Sequence, residues 1–108
     1  MNWDASASGG TLLLNLIVPP EVADAVAEWL LERDDVPGFT SALVAGHGSS
    51  EHSMTLAEQV AGRSRRVIFF TYLPTVVAEA VLAEVGESFR GSGLNYWLTP
   101  VVAAGHLA

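Results

Sequence analysis

Six side chains able to do chemistry crowd into one stretch of this chain: His47, Glu51 and His52, then Arg63, Arg65 and Arg66. Imidazole nitrogens bind Zn, Cu and Ni, and a carboxylate can complete the ligand set. His47, Glu51 and His52 are therefore candidate ligands for a transition metal. Met54 offers a soft sulfur of the kind Cu(I) accepts, although such a residue is more often a hydrophobic contact. The i, i+5 spacing of the two histidines is no metal signature on its own, and a solvent-exposed pair is the ordinary alternative.

The same stretch opens with Gly46-His47-Gly48-Ser49-Ser50. A G-x-G turn can aim backbone N–H groups at an anion. Arg63, Arg65 and Arg66, beside Gly62, form the only basic cluster and can hold a phosphate or carboxylate. Gly46, Gly48, Arg63, Arg65 and Arg66 are thus candidate anion ligands. Their ordinary alternatives are a flexible turn and ion pairs with acids such as Glu58. His106 can contribute only through the fold or a neighbouring subunit. Catalysis is not expected. Ser49, Ser50 and Ser53 lie near the histidines, but sequence proximity does not make a triad, and no pair of carboxylates sits at adjacent strand ends.

The elements that must position these residues follow from apolar runs and their breakers. Thr11 to Val18 is apolar almost throughout, as a central strand covered on both faces would be. Pro19-Pro20 stops it and opens a helix from Glu21 to Arg33. Val22, Val26, Trp29 and Leu30 share one face of that helix. Glu21, Asp24, Glu28 and Glu32 form the other, which reads as a solvated face. Asp34 to Gly38 is a turn, and a second strand runs from Phe39 to Ala45. A third strand covers Arg65 to Leu73. Pro74-Thr75 opens a second helix bearing Val77, Val81, Leu82 and Val85, with Gly86 placed to end it. Gly91-Ser92-Gly93 turns the chain into a fourth strand, Leu94 to Leu98, stopped by Pro100. The apolar tail Val101 to Ala108 is too short to stand alone and is suited to adding a strand to a neighbour's sheet edge.

The order β-α-β-β-α-β predicts an α+β, ferredoxin-like domain: one antiparallel sheet with two helices on one face. Residues 1–10 read as a mobile tail, with Trp3 the exception in it, and residues 11–108 as a single domain. Residues 46–64 form a long loop between strands two and three. Long irregular insertions cost closure entropy and usually serve function. The other sheet face needs a cover, and sheets this apolar commonly find it by oligomerising.

Composition narrows the function classes. The chain has 108 residues, half of them apolar, and a formal net charge of −7 with no lysine. That balance argues against nucleic acid and anionic membrane surfaces, which need clustered Lys and Arg. The absence of cysteine excludes disulfides, thiolate metal sites and a cysteine nucleophile. No run approaches the ~20 apolar residues of a bilayer span, and no basic segment precedes the first apolar run. A soluble cytoplasmic protein without direct membrane insertion is expected.

Several motifs in this order resemble one family: Leu16-Ile17-Val18-Pro19-Pro20, Gly38-Phe39-Thr40, Gly46-His47-Gly48-Ser49-Ser50, Leu56-Ala57-Glu58-Gln59-Val60-Ala61-Gly62-Arg63 with Arg65-Arg66, and Tyr96-Trp97 before Pro100-Val101. From about Thr11 to Gly105 the chain is similar to PII-like signalling proteins. It looks most like the small, functionally uncharacterised ones encoded beside heavy-metal efflux pumps of the resistance-nodulation-division type.

The resemblance implies a homotrimer with effector clefts between subunits, lined by Gly46 and Gly48. Ser49 to Arg63 would be the effector loop, with Ser49, Ser50, Met54, Glu58 and Gln59 facing a membrane cation-efflux transporter. The chain departs from nucleotide-binding PII proteins: Ser49-Ser50 replace the basic residues after the G-x-G, and Leu94-Asn95 stand where a lysine is expected. A triphosphate brings about four negative charges that are costly to bury unpaired, so ATP is not expected. The expectation is a non-enzymatic regulator that senses a metal through His47, Glu51 and His52. The alternatives are a sensor of a nucleotide or other small anion, and a ligand-free adaptor.

Overall fold

Proline sets both strand-to-helix junctions. In the computed structural model, which describes residues 10–48 and 63–108, β1 spans Thr11–Val18 and α1 spans Pro20–Leu31. Pro19 precedes α1 with φ −59° and ψ 145°, so the chain leaves the strand extended and Pro20 enters the first helical turn, where its missing N–H costs nothing. The second half repeats the device. β2 spans Thr40–His47, β3 spans Arg63–Pro74, and Pro74 leads into α2, Thr75–Ser88. β4 covers Asn95–Pro100.

The strands form one antiparallel sheet of order β2-β3-β1-β4. Each β-α-β half therefore brackets a strand of the other half, and both helices lie on one face. The fold is α+β and ferredoxin-like. Both helices bury the same spacing: Ala23, Val26 and Leu30 on α1, and Ala78, Val81 and Val85 on α2. These i, i+3, i+7 stripes meet Leu14, Leu16 and Val18 of β1 and Phe69 and Leu73 of β3. Burying one such aliphatic side chain stabilises by roughly 1.5–3 kcal/mol.

Four expectations need correction. Gly86 does not end α2, which continues to Ser88. Glycine tolerates the helical interior at a modest cost; Phe89 caps the helix, and the turn beyond it holds Gly91 and Gly93 at the left-handed φ values of 78° and 80° that a side chain resists. The first helix ends at Leu31, with Glu32 capping it and Arg33 already outside. The loop between strands two and three is shorter than residues 46–64, because the ladder continues through Gly46 opposite Ser64 and His47 opposite Arg63. Finally, both described helices pack on the side of Leu14 and Leu16, so β1 is not covered by helices on both faces among the described residues.

Trp3, Ser49, Ser50, Glu51, His52, Met54, Glu58 and Gln59 lie outside the described residues.

Candidate functional site

The β2–β3 ladder brings His47 directly opposite Arg63, and Ala45 opposite Arg65. Residues facing each other across an antiparallel pair have Cβ atoms about 5 Å apart. Strand alternation puts His47, Arg63 and Arg65 on one side of the sheet, the side that carries the helices. All three are exposed. Gly46 precedes this group, and Gly48 follows it with φ 73°, a backbone that costs a non-glycine residue strain. No carboxylate stands on either strand: Glu21, Asp24, Glu28, Glu32, Asp34, Asp35, Glu79, Glu84 and Glu87, all those described, belong to α1, α2 and the turn after α1. Among the described residues, Arg63 and Arg65 are the charged side chains at this end of the ladder.

The arginine cluster read from the sequence is split by the pleat. Arg65 and Arg66 are consecutive, so they project to opposite faces. Arg66 is buried on the open side of the sheet opposite Val44, and its Nη1 donates to the Arg65 carbonyl at 2.7 Å. Ser64, opposite Gly46, is fully buried on that same side. Arg66 is thus held in the structure, and Arg63 and Arg65 are the arginines that share a face with His47.

This geometry bears on the choice between metal and anion. A cation at His47 would sit beside Arg63, and two unit charges 4 Å apart repel by about 1 kcal/mol even in bulk water. An anion at the same place is attracted and can accept charge-assisted hydrogen bonds. Among the described residues no three His, Asp or Glu side chains gather as a metal-ligand set. Glu51 and His52 lie outside those residues. His106 is exposed in the segment that follows β4.

The open face was only partly visible in the sequence. Leu13, Ile17, Ile68 and Phe70 are half-buried there, and Tyr72 and Trp97 are largely exposed, with 51% and 46% of their surface accessible. Asn15 is buried among them, its Nδ2 donating to the Leu13 carbonyl at 3.5 Å. A cleft of about 540 Å³ opens between this face and the turn before β2, lined by Leu13, Phe39, Phe70 and Tyr72. Thr71 fixes that turn by donating from Oγ1 to the Gly38 carbonyl at 2.6 Å. A second cleft of about 430 Å³ lies on the helix side beside β4, lined by Leu16, Leu82, Phe89, Leu94 and Tyr96. Neither cleft reaches His47. Period-two reading of β1 and β3 was the signal for the open face; the second cleft had none, because it depends on how far α2 reaches across the sheet.

Sequence reading also missed a polar tie across the helix layer. Arg33 donates from Nε and Nη2 to both carboxylate oxygens of Asp35, at 2.9 and 2.8 Å, and from Nη2 to Glu84 at 3.0 Å. Its guanidinium stacks 4.9 Å from the ring of Trp29, whose edge meets Phe89 at 6.2 Å. Arg33 beside it holds the Asp35 carboxyl below the ordinary carboxylate range, and the two acids raise the guanidinium further. This network joins the end of α1 to α2, so its role is to fix the helix layer.

A four-stranded antiparallel sheet under two helices among the described residues defines a small ferredoxin-like domain. The chain belongs to the family described as "Protein of unknown function (DUF3240)", whose model matches residues 8–108. It is similar in fold to a DUF3240 family protein from Shewanella baltica OS155 known from a crystal structure, with 20% sequence identity, a TM-score of 0.74, and coverage of 91% of this chain and 97% of that one. No curated protein matches the chain. Among the described residues, no helix is long and apolar enough to cross a membrane.

Proposed function

We propose that this chain is a non-enzymatic, PII-like regulatory protein that works in the cytoplasm as a homotrimer. It takes up a small anion at the end of the β2–β3 ladder and passes that state to a membrane cation-efflux transporter through the segment between Gly48 and Arg63. Ligand binding there changes the surface offered to the partner, which is how such switches act. The observation that carries this reading is the cross-strand pair His47–Arg63, flanked by Gly46 and Gly48, on strands that bear no carboxylate. Three copies per assembly rest on the resemblance to PII-like proteins and on the exposure of Tyr72 and Trp97 on the face away from the helices.

A small anion of one or two charges suits His47 and Arg63 better than a triphosphate does. Calorimetric titration with inorganic phosphate, with ATP, and with Zn, Cu and Ni tests this. Phosphate binding that falls about tenfold in Arg63→Ala, the equivalent of roughly 1.4 kcal/mol, is the expected result. The second reading is a metal held by His47, Glu51 and His52, favoured by the exposure of His47 at the mouth of that stretch. Stoichiometric metal uptake abolished by His47→Ala plus His52→Ala, with no phosphate binding, would replace the first reading with the second.

A further inference from the structure

We propose that the cleft of about 540 Å³ between the sheet and the turn before β2 binds a neutral, flat ring compound with a lactam edge, and that the Asn15 carboxamide reads that edge. This goes beyond the anion reading and does not rest on it. The cleft takes Thr40 from the start of β2, and His47 ends that strand, about 23 Å further along it.

The walls call for a ring. A cleft of this volume lies in the size range of small-molecule sites. Phe39, Phe70 and Tyr72 line it with Leu13. Phe39 is held edge-on against Phe69, with ring centroids 5.6 Å apart, so the core fixes that wall. Tyr72 is the most exposed of the three rings. Aromatic pairs favour offset stacking and edge-to-face contact, and a flat aromatic ligand can use both here.

The lining also calls for a neutral ligand. Among the described residues no Asp, Glu, His or Arg lines the cleft, and its polar side chains are the hydroxyls of Thr40, Thr71 and Tyr72. An ion moved from water into such walls loses its hydration with no opposite charge to replace it. Aromatic residues on a sheet face also stack the bases of single-stranded nucleic acids. A phosphate chain, however, is repelled by a protein of net charge −7 without lysine. The ring therefore arrives without phosphates.

Asn15 sets the polar edge. It lies on the same sheet face as Leu13, two residues further along β1, and directly opposite Phe70, with Trp97 opposite it on the other side. Asn15 is 5% exposed. The one hydrogen bond of its side chain among the described residues is long, from Nδ2 to the Leu13 carbonyl at 3.5 Å, and it leans the amide toward the cleft. That leaves the Oδ1 acceptor and the second Nδ2 hydrogen for a ligand. A carboxamide offers donor and acceptor in one plane, which is the complement of a lactam N–H and C=O.

The test is calorimetric titration with carbostyril, a neutral bicyclic lactam, beside N-methylcarbostyril, which lacks the N–H, and naphthoate, which replaces the lactam with a charge. Wild-type protein is expected to take up one carbostyril per chain. The N-methyl compound should bind at least about fivefold more weakly, as the loss of a hydrogen bond demands. Asn15→Leu should weaken carbostyril by a similar factor and no longer distinguish the two lactams, while Tyr72→Ala should cost about tenfold through lost stacking. Arg63→Ala should change nothing, which separates this site from the end of the β2–β3 ladder. The two lactams are compared in unaltered protein, so the result does not depend on how a variant folds or assembles. No uptake of carbostyril, equal binding of its N-methyl form, or tighter binding of naphthoate overturns the proposal. Each of these leaves the phosphate reading to its own titration.

Discussion

The two faces of this sheet both carry large apolar residues and end in different states. On the helix side, Leu14, Leu16 and Val18 of β1 are 1%, 1% and 0% exposed, sealed by matching stripes on α1 and α2 and tied above by Arg33. On the open side, Leu13 and Ile17 alternate with them along the same strand and stay half-buried, beside Phe70, Tyr72 and Trp97. Both described helices lie on one face. Exposed apolar surface of this kind is common at interaction sites. The helix side holds the fold together, and the other side is where the proposed assembly would form.

The contrast breaks most visibly with a cavity on the sealed side. Leu14→Ala removes a fully buried side chain and is expected to cost about 3 kcal/mol in urea unfolding, within the range of roughly 2–5 for such sites. The matched change on the open side sharpens the contrast. Phe70→Asp is expected to leave the far-ultraviolet circular dichroism of the subunit intact while dissociating the assembly in sedimentation velocity, and to make the melting temperature independent of protein concentration. A drop in Phe70→Asp subunit stability as large as that of Leu14→Ala would erase the distinction between the faces.

Arg33→Ala should come next, at about 1–2 kcal/mol, from the loss of two partly exposed ion pairs and a cation–π contact. It should leave the oligomeric state unchanged, since the network lies within the helix layer. The smallest effect is in pH. Arg33 lowers the Asp35 pKa below its ordinary value of 3.8. The unfolded chain therefore takes up the proton first as pH falls, and binds more protons than the native state in that window. The stabilisation from this pair is complete above about pH 4 and is lost as pH drops below it. Denaturant midpoints for the wild type and Arg33→Ala should therefore converge somewhat between pH 4 and pH 2.

Much of the fold was legible because its boundaries are made by proline and its helices by spacing. Pro19-Pro20 and Pro74 mark both strand-to-helix junctions, and the β-α-β-β-α-β order follows. The limits of reading were physical. The apolar run of β1 looks the same whether its second face is covered by the same chain or by another. Gly86 carries a terminator's identity, but the helix continued because its stripe reached Val85 and the left-handed turn came later, at Gly91 and Gly93. The site was legible as a region and misread as a cluster. Arg63, Arg65 and Arg66 look like one basic patch in sequence, yet a strand separates Arg65 from Arg66 by its pleat, and the pairing of His47 with Arg63 appears only once the ladder's register is known. Arg33 was unreadable as a tie because Glu84, its partner, lies 51 residues away.

Further copies of the chain are proposed to cover the face away from the helices. Native mass spectrometry of the metal-stripped wild-type protein across a range of concentrations tests it directly. The account predicts a trimer as the dominant species, with monomer emerging only on strong dilution. A protein that stays monomeric at every concentration would contradict it.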